Sequence, residues 1–168
     1  ITYGDWSSDV CSSDLYSDIT KFIPDIKLKS KHMPKFSETS LKRLSECHND
    51  LKVLFNEVVR HFDCAVICGH RGEVEQNDAF REGKSKIRYP QSKHNQRPSL
   101  AVDVMPYPIN WSDRERMYFF GGFVMATARQ LKAMGWIEHN IRWGGDWNSD
   151  TDVRKETFID LPHFEIII

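Results

Sequence analysis

His94, Asp103 and His163 constrain the fold of this 168-residue chain more than any other feature. Two imidazoles and a carboxylate are the donor set of a catalytic zinc site, which takes three protein ligands and leaves one position open. They can share one ion only if the strand carrying Asp103 lies beside the strand that His163 begins, because ligand bonds of about 2.0–2.2 Å tolerate no looser arrangement. The stretches Ser92-Lys93-His94, Ala101-Val102-Asp103 and Asp160-Leu161-Pro162-His163-Phe164-Glu165 therefore point to a metallohydrolase. A lone histidine has a blander explanation, and His32, His48, His61 and His139 are read as surface or internally satisfied imidazoles.

The periodicity around these residues supplies the elements. From Leu100 to Met105 the chain alternates, with Leu100, Val102 and Val104 on one face and Ala101, Asp103 and Met105 on the other, so Asp103 is expected to point away from the aliphatic layer. Ala65 to Gly69 is a short β-branched run that reads as a buried strand and delivers His70 and Arg71 to its end. Ile141-Arg142-Trp143 and His163 to Ile168 read as two further strands. Leu41, Leu44, Leu51, Phe55, Val58 and Phe62 predict one amphipathic helix capped by Ser37 and roughly 39 Å long. Glu73 to Gly83 predicts a short helix, and Lys84 to Ser99 a loop. Ser112 to about Met134 predicts a second long helix stopped by Gly135, with Phe119, Phe123, Ala126 and Leu131 as its apolar face. Gly121-Gly122 inside that helix costs roughly 1 kcal/mol per glycine, which calls for a close contact or a kink. Together these elements predict a single α+β domain, helices packed on a small, mainly antiparallel sheet.

Three more side chains are candidates for chemistry. Asp160, three residues before His163 and beside Pro162, is placed to take a proton from the attacking water as general base. Glu165 shares the face of His163 and is read as a carboxylate that orients that imidazole rather than as the base. Arg71 follows a buried strand, where a guanidinium would hold a substrate carboxylate or stabilise an oxyanion; an ordinary surface arginine fits the spacing equally well.

Residues 1–15 stand apart. Asp5-Trp6-Ser7-Ser8-Asp9-Val10-Cys11-Ser12-Ser13-Asp14-Leu15 reads like the in-frame translation of a sequencing adapter, leaving 16–168 as the expected single catalytic domain and the native start, with any export signal, unknown. Without Asp5, Asp9 and Asp14 the formal charge moves from -1 to +2, a near-neutral balance with no charged block of the kind that marks a nucleic-acid arm. No apolar run approaches a membrane span. Cys47, Cys64 and Cys68 are odd in number and lack a paired CxxC spacing, so they are read as reduced, buried packing residues.

The ordered set of Ser-x-His, Ala-x-Asp and acidic-x-x-His-x-Glu resembles the zinc peptidases that include the phage L-alanyl-D-glutamate endopeptidases and the D-alanyl-D-alanine carboxypeptidases, whose fold is shared with Hedgehog signalling domains. The resemblance spans roughly Phe62 to Ile166. It implies His94, Asp103 and His163 as ligands of one Zn2+, Asp160 as general base, Arg71 as the arginine that binds substrate or transition state, and Ser92 as support behind the ligands. Tyr107-Pro108-Ile109-Asn110-Trp111 and the turn Gly145-Asp146-Trp147 are most similar to phage endolysins. One departure is the separation of nine from His94 to Asp103 where the compact pattern has seven, which lengthens the loop Asn95 to Ser99.

The resemblance implies a monomeric endolysin, made in the host cytoplasm, that hydrolyses the L-alanyl-D-glutamate bond of the bacterial peptidoglycan stem peptide and lyses the host wall, with neither nucleic acid nor membrane as partner. Two rivals are a D-alanyl-D-alanine carboxypeptidase on the same fold and a non-catalytic zinc module that binds a wall or protein partner.

Overall fold

The alternating and β-branched runs pair into a four-stranded antiparallel sheet, and the helical periodicities pack around it. The computed structural model describes residues 33–168; the adapter-like stretch, with Cys11, and His32 lie outside the described residues. In chain order the elements are α1 (Glu38–Ser45), α2 (Asn49–His61), β1 (Cys64–Cys68), α3 (Glu73–Arg81), a 3-10 turn (Lys93–Asn95), β2 (Ala101–Pro106), α4 (Arg114–Ala133), β3 (Asn140–Trp143) and β4 (His163–Ile167). The sheet order is β1-β2-β4-β3. Among the described residues no helix is long and apolar enough to cross a membrane.

Val102 pairs with Phe164 and Asp103 with His163, so the two central strands put their aliphatic and aromatic side chains on one face and their polar ones on the other. Val66, Val102, Val104, Phe164 and Ile166 are fully buried, and with Leu51, Leu54, Phe55 and Val58 of α2 and Phe120 and Val124 of α4 they form the core. The outer edge of β1 is covered by α1: Val66 N–H donates to Ser40 Oγ (3.1 Å) and Arg43 Nη1 donates to Val66 O (2.8 Å). Those bonds satisfy an edge that would otherwise be open to another strand.

Three expectations need correction. The helix expected from Ser37 to Phe62 is two helices, broken around Cys47. Ser37 does cap the first, its hydroxyl accepting from Ser40 N–H (3.2 Å), but at Glu46 to His48 the backbone turns to pair with Ser99: Ser99 N–H donates to Glu46 O (2.9 Å) and His48 N–H to Ser99 O (2.8 Å). Leu41, placed on the apolar stripe by periodicity, is accordingly exposed, while Leu44 and Leu51 are buried. The cap of α4 is Asp113 rather than Ser112, with Asp113 Oδ1 accepting from Arg116 N–H (3.1 Å).

The apolar face of α4 also differs from the expected one, sharing only Leu131 with it. Met117, Phe120, Val124, Ala128 and Leu131 face the core, whereas Phe119 and Ala126 are exposed and Phe123 is half-buried. Both stripes obey helical spacing, and packing against Trp143 selects between them: a Cβ on Gly121 would lie 2.2 Å from the Trp143 ring, so a close contact explains that glycine. Gly122 has nothing within 4 Å, and the structure offers no reason for it.

Candidate metal centre and its cleft

A register shift in β1 between Val66 and Cys68 inserts one residue, setting Cys68 opposite Asp103 and turning the chain toward Gly69 and Arg71. Gly69 has to be glycine, because a Cβ there would lie 2.2 Å from Arg43 O. Its carbonyl accepts from His94 Nδ1 (2.7 Å), and Arg71 N–H donates to His94 O (2.9 Å), so the end of β1 seats the 3-10 turn that carries His94. Ser92 caps that turn, its Oγ accepting from His94 N–H (3.2 Å), while Asn95 Oδ1 accepts from Ser92 N–H (3.0 Å). The nine-residue separation from His94 to Asp103 is taken up by this turn and by the Ser99 pairing before β2.

The structure brings the three expected ligands together. His94 Nε2 is 3.2 Å from Asp103 Oδ1 and 3.2 Å from His163 Nδ1, and His163 Nδ1 is 3.1 Å from Asp103 Oδ1. A tetrahedral ion with ligand bonds of 2.0–2.1 Å separates its donor atoms by about 3.3 Å, so this triangle has the dimensions of one face of such a site.

The hydrogen bonds also set the donors. Gly69 O can only accept, so His94 carries its proton on Nδ1 and turns the Nε2 lone pair inward. Glu165 Oε2 lies 3.1 Å from His163 Nε2 and likewise accepts, leaving the Nδ1 lone pair of His163 directed at the same point. Three acceptor atoms held this close repel one another unless a cation lies between them.

The charges agree with that geometry. Burial opposes protonation of His94, yet the Asp103 carboxylate beside it prevails and raises it to about 10; His163 is raised in the same way, with Asp103 and Glu165 outweighing its burial. Asp103 is held far below the usual carboxylate range, its burial outweighed by the two imidazoles. Glu165, itself buried, is lowered to about 2 by His163, Arg142 and Lys93. The region thus favours a positive charge between the two imidazoles and Asp103 at neutral pH.

Arg71, Asp160, His94, Asp103 and His163 line one cleft of about 900 Å³, walled by Trp111, Trp147 and Phe158. Arg71 is half-buried. Its Nη2 lies 3.3 Å from Asp103 Oδ2 and 3.6 Å from Cys68 Sγ, so it steadies the carboxylate oxygen that faces away from the imidazoles. Asp160 is raised, first by burial and then by the Asp103 charge. Its backbone is fixed by Gly144: Asp160 N–H donates to Gly144 O (2.8 Å), an approach that a Cβ on Gly144 would block at 2.2 Å from Asp160 O. Trp147, from the Gly-Asp-Trp turn, packs its ring over His163 at 5.4 Å between centroids.

Some residues fall elsewhere. Cys47 and Cys64 are buried, and burial above all pushes the Cys47 thiol up to about 12 and that of Cys64 upward too. Cys68, expected to be mere packing, is half-buried at the site, with its thiol, His94 and Asp103 offering donor atoms within 4.8 Å of one another. His48, Asp50 and His139 form a second group of metal-compatible residue types. There Asp50 Oδ2 already accepts from Glu138 N–H (3.0 Å), His139 N–H (2.8 Å) and His139 Nδ1 (2.9 Å), which makes it a clasp between α2 and the approach to β3. Sequence reasoning missed Asn95, for which the Ser92-x-x-Asn95 spacing of a capping box was the available signal. It also missed Gln76, which no local pattern marks, and read Gly144 only as part of a turn.

The family described as phage L-alanyl-D-glutamate peptidase matches this chain over residues 32–167. No curated protein matches it. Among solved structures, the Serratia marcescens L-Ala D-Glu endopeptidase ChiX is similar, with a TM-score of 0.56 and 22% identity, over 80% of this chain and 91% of that one; at that identity the likeness speaks for the fold. With the match reaching from before α1 to the last strand, this chain belongs to the phage L-alanyl-D-glutamate peptidase family.

Proposed function

We propose that this chain is a zinc-dependent endolysin that hydrolyses the L-alanyl-D-glutamate amide of the bacterial peptidoglycan stem peptide. The observation that carries the reading is the triangle of His94 Nε2, Asp103 Oδ1 and His163 Nδ1, with both imidazole tautomers set by acceptors behind them. These three residues would hold a zinc ion, which would supply Lewis acidity for the scissile carbonyl and a water made nucleophilic near neutral pH.

The chain's own residues do the rest. Asp160, in the same cleft, takes the proton of the attacking water and returns it to the leaving amine; partial burial keeps its affinity for that proton above that of a free aspartate. Arg71 presents a fixed positive charge to the carboxylate of the substrate or to the developing oxyanion. Glu165 and Ser92 hold His163 and His94 in register. Trp111, Trp147 and Phe158 give the peptide an aromatic surface to lie on along the cleft walls. Residues 16–168 form the catalytic unit, acting as a monomer on the host cell wall.

Two measurements test this together: metal analysis of the purified protein and mass spectrometry of peptidoglycan digests. The expected results are one zinc per chain and new amino termini at D-glutamate. Release of terminal D-alanine with the alanyl-glutamate bond intact would move the assignment to a carboxypeptidase. Asp160→Ala should abolish turnover while retaining metal; a variant that keeps full activity excludes Asp160 as base.

A further inference from the structure

Gln76 is the one buried residue of α3, whose other residues are exposed, Val74 among them, or half-buried. A helix normally buries an apolar stripe; here the one fully buried side chain is a primary amide, whose burial is costly unless every polar atom finds a partner. Every one does. Gln76 Nε2 donates to Ser85 Oγ (2.9 Å) and to Ile87 O (2.7 Å), and Gln76 Oε1 accepts from Arg71 Nη1 (3.2 Å) and Asn95 Nδ2 (3.4 Å). The amide orientation is unambiguous, because Ile87 O can only accept and the guanidinium can only donate.

These partners are parts of the site. Arg71, Ser85 and Ile87 line the cleft, and Asn95 follows His94 and also donates to Arg71 O (2.8 Å). Asp103 and Cys68 engage Nη2 of Arg71, and Gln76 engages Nη1, so the guanidinium is held on two sides.

We infer that Gln76 is a positioning residue: it locks the Arg71 guanidinium and the Ser85 to Ile87 wall of the cleft into one rigid unit beside the ligand turn. The inference rests on the reading of Arg71 as the group that meets the substrate. Its physical basis is preorganisation, since a charge fixed before substrate arrives costs no reorganisation during the reaction.

The test compares Gln76→Met, which keeps the length and loses all four bonds, with Gln76→Glu, which keeps the acceptor for Arg71 and loses both donors to the wall; Val74→Ala on the same helix is the control. For zinc-loaded protein on a stem-peptide substrate, Gln76→Met should lower kcat/KM by about tenfold or more at unchanged zinc content. Gln76→Glu should recover part of that loss. Amide exchange at residues 84–88 should quicken in both variants, and the Arg71 side-chain N–H resonances should lose protection in Gln76→Met alone. Wild-type kcat and KM in Gln76→Met, or equal losses in both variants that track the unfolded fraction, overturn the inference. If wild-type protein leaves stem peptides uncleaved, the peptidase reading fails and the resonances alone decide: Arg71 protection unchanged in Gln76→Met overturns the role given to Gln76, and its loss upholds it.

Discussion

Replacing Glu165 by glutamine should weaken zinc binding although the residue touches no metal. Glu165 is buried and serves three donors: Oε2 takes His163 Nε2 (3.1 Å), while Oε1 takes Arg142 Nε (2.9 Å) and Nη2 and lies 3.4 Å from Lys93 Nζ. A carboxylate accepts on both oxygens, but an amide accepts on one and donates on the other. If the glutamine oxygen stays with Arg142, its NH2 faces His163 Nε2 and forces the imidazole proton onto Nδ1, aimed at Asp103 and His94. If the amide flips, its NH2 meets the guanidinium instead. Either outcome spoils one interaction that the site needs, and loss of such a supporting carboxylate lowers metal affinity about 10–100-fold, or roughly 1.4–2.8 kcal/mol. Competition with a chelator of known affinity at neutral pH measures it, with thermal unfolding as the check on folding. A zinc dissociation constant within about twofold of wild type would refute the claim that Glu165 sets the His163 tautomer.

The clasp at Asp50 carries a pH signature. Burial raises its pKa, but hydrogen bonds from the His139 backbone and side chain and from Glu138 outweigh that and lower it, so its stabilisation is complete above the unfolded value near 3.9 and fades as pH falls through the lower folded value. Asp50→Asn should therefore cost about 1–3 kcal/mol at pH 7, a difference that narrows in acid, as denaturant titrations at several pH values would show; a gap independent of pH would contradict it. The adjacent glycines of α4 should respond with opposite sign: Gly121→Ala drives a methyl into Trp143 and should cost about 1–3 kcal/mol, whereas the exposed Gly122→Ala should gain up to about 1 kcal/mol. Thermal melts of the two variants decide, and equal shifts would refute the packing argument.

How much could be read from the chain differs by element. The polar face of Ala101 to Met105 follows from alternation, whereas the adjacency of the strands bearing Asp103 and His163 was a condition of the metal reading that the sequence could state and only the pairing of Asp103 with His163 supplies. The break at Cys47 was not legible, since the apolar spacing continues across it and only pairing with Ser99, far along the chain, diverts the backbone. The displaced stripe of α4 has a similar cause: Phe119 and Phe120 fit the helical period equally well, and Phe164 and Trp143 choose the second.

The candidate donor residues and the strand period could be read from the sequence alone, because residue type and periodicity are properties of neighbouring residues. Which nitrogen each imidazole turns inward, the added residue in β1 that sets Cys68 beside Asp103, and the enclosure of Gln76 against Arg71 were decided only by tertiary structure. Each depends on an acceptor, a register or a neighbour supplied from another part of the chain, and no local pattern encodes a partner that folding alone brings near.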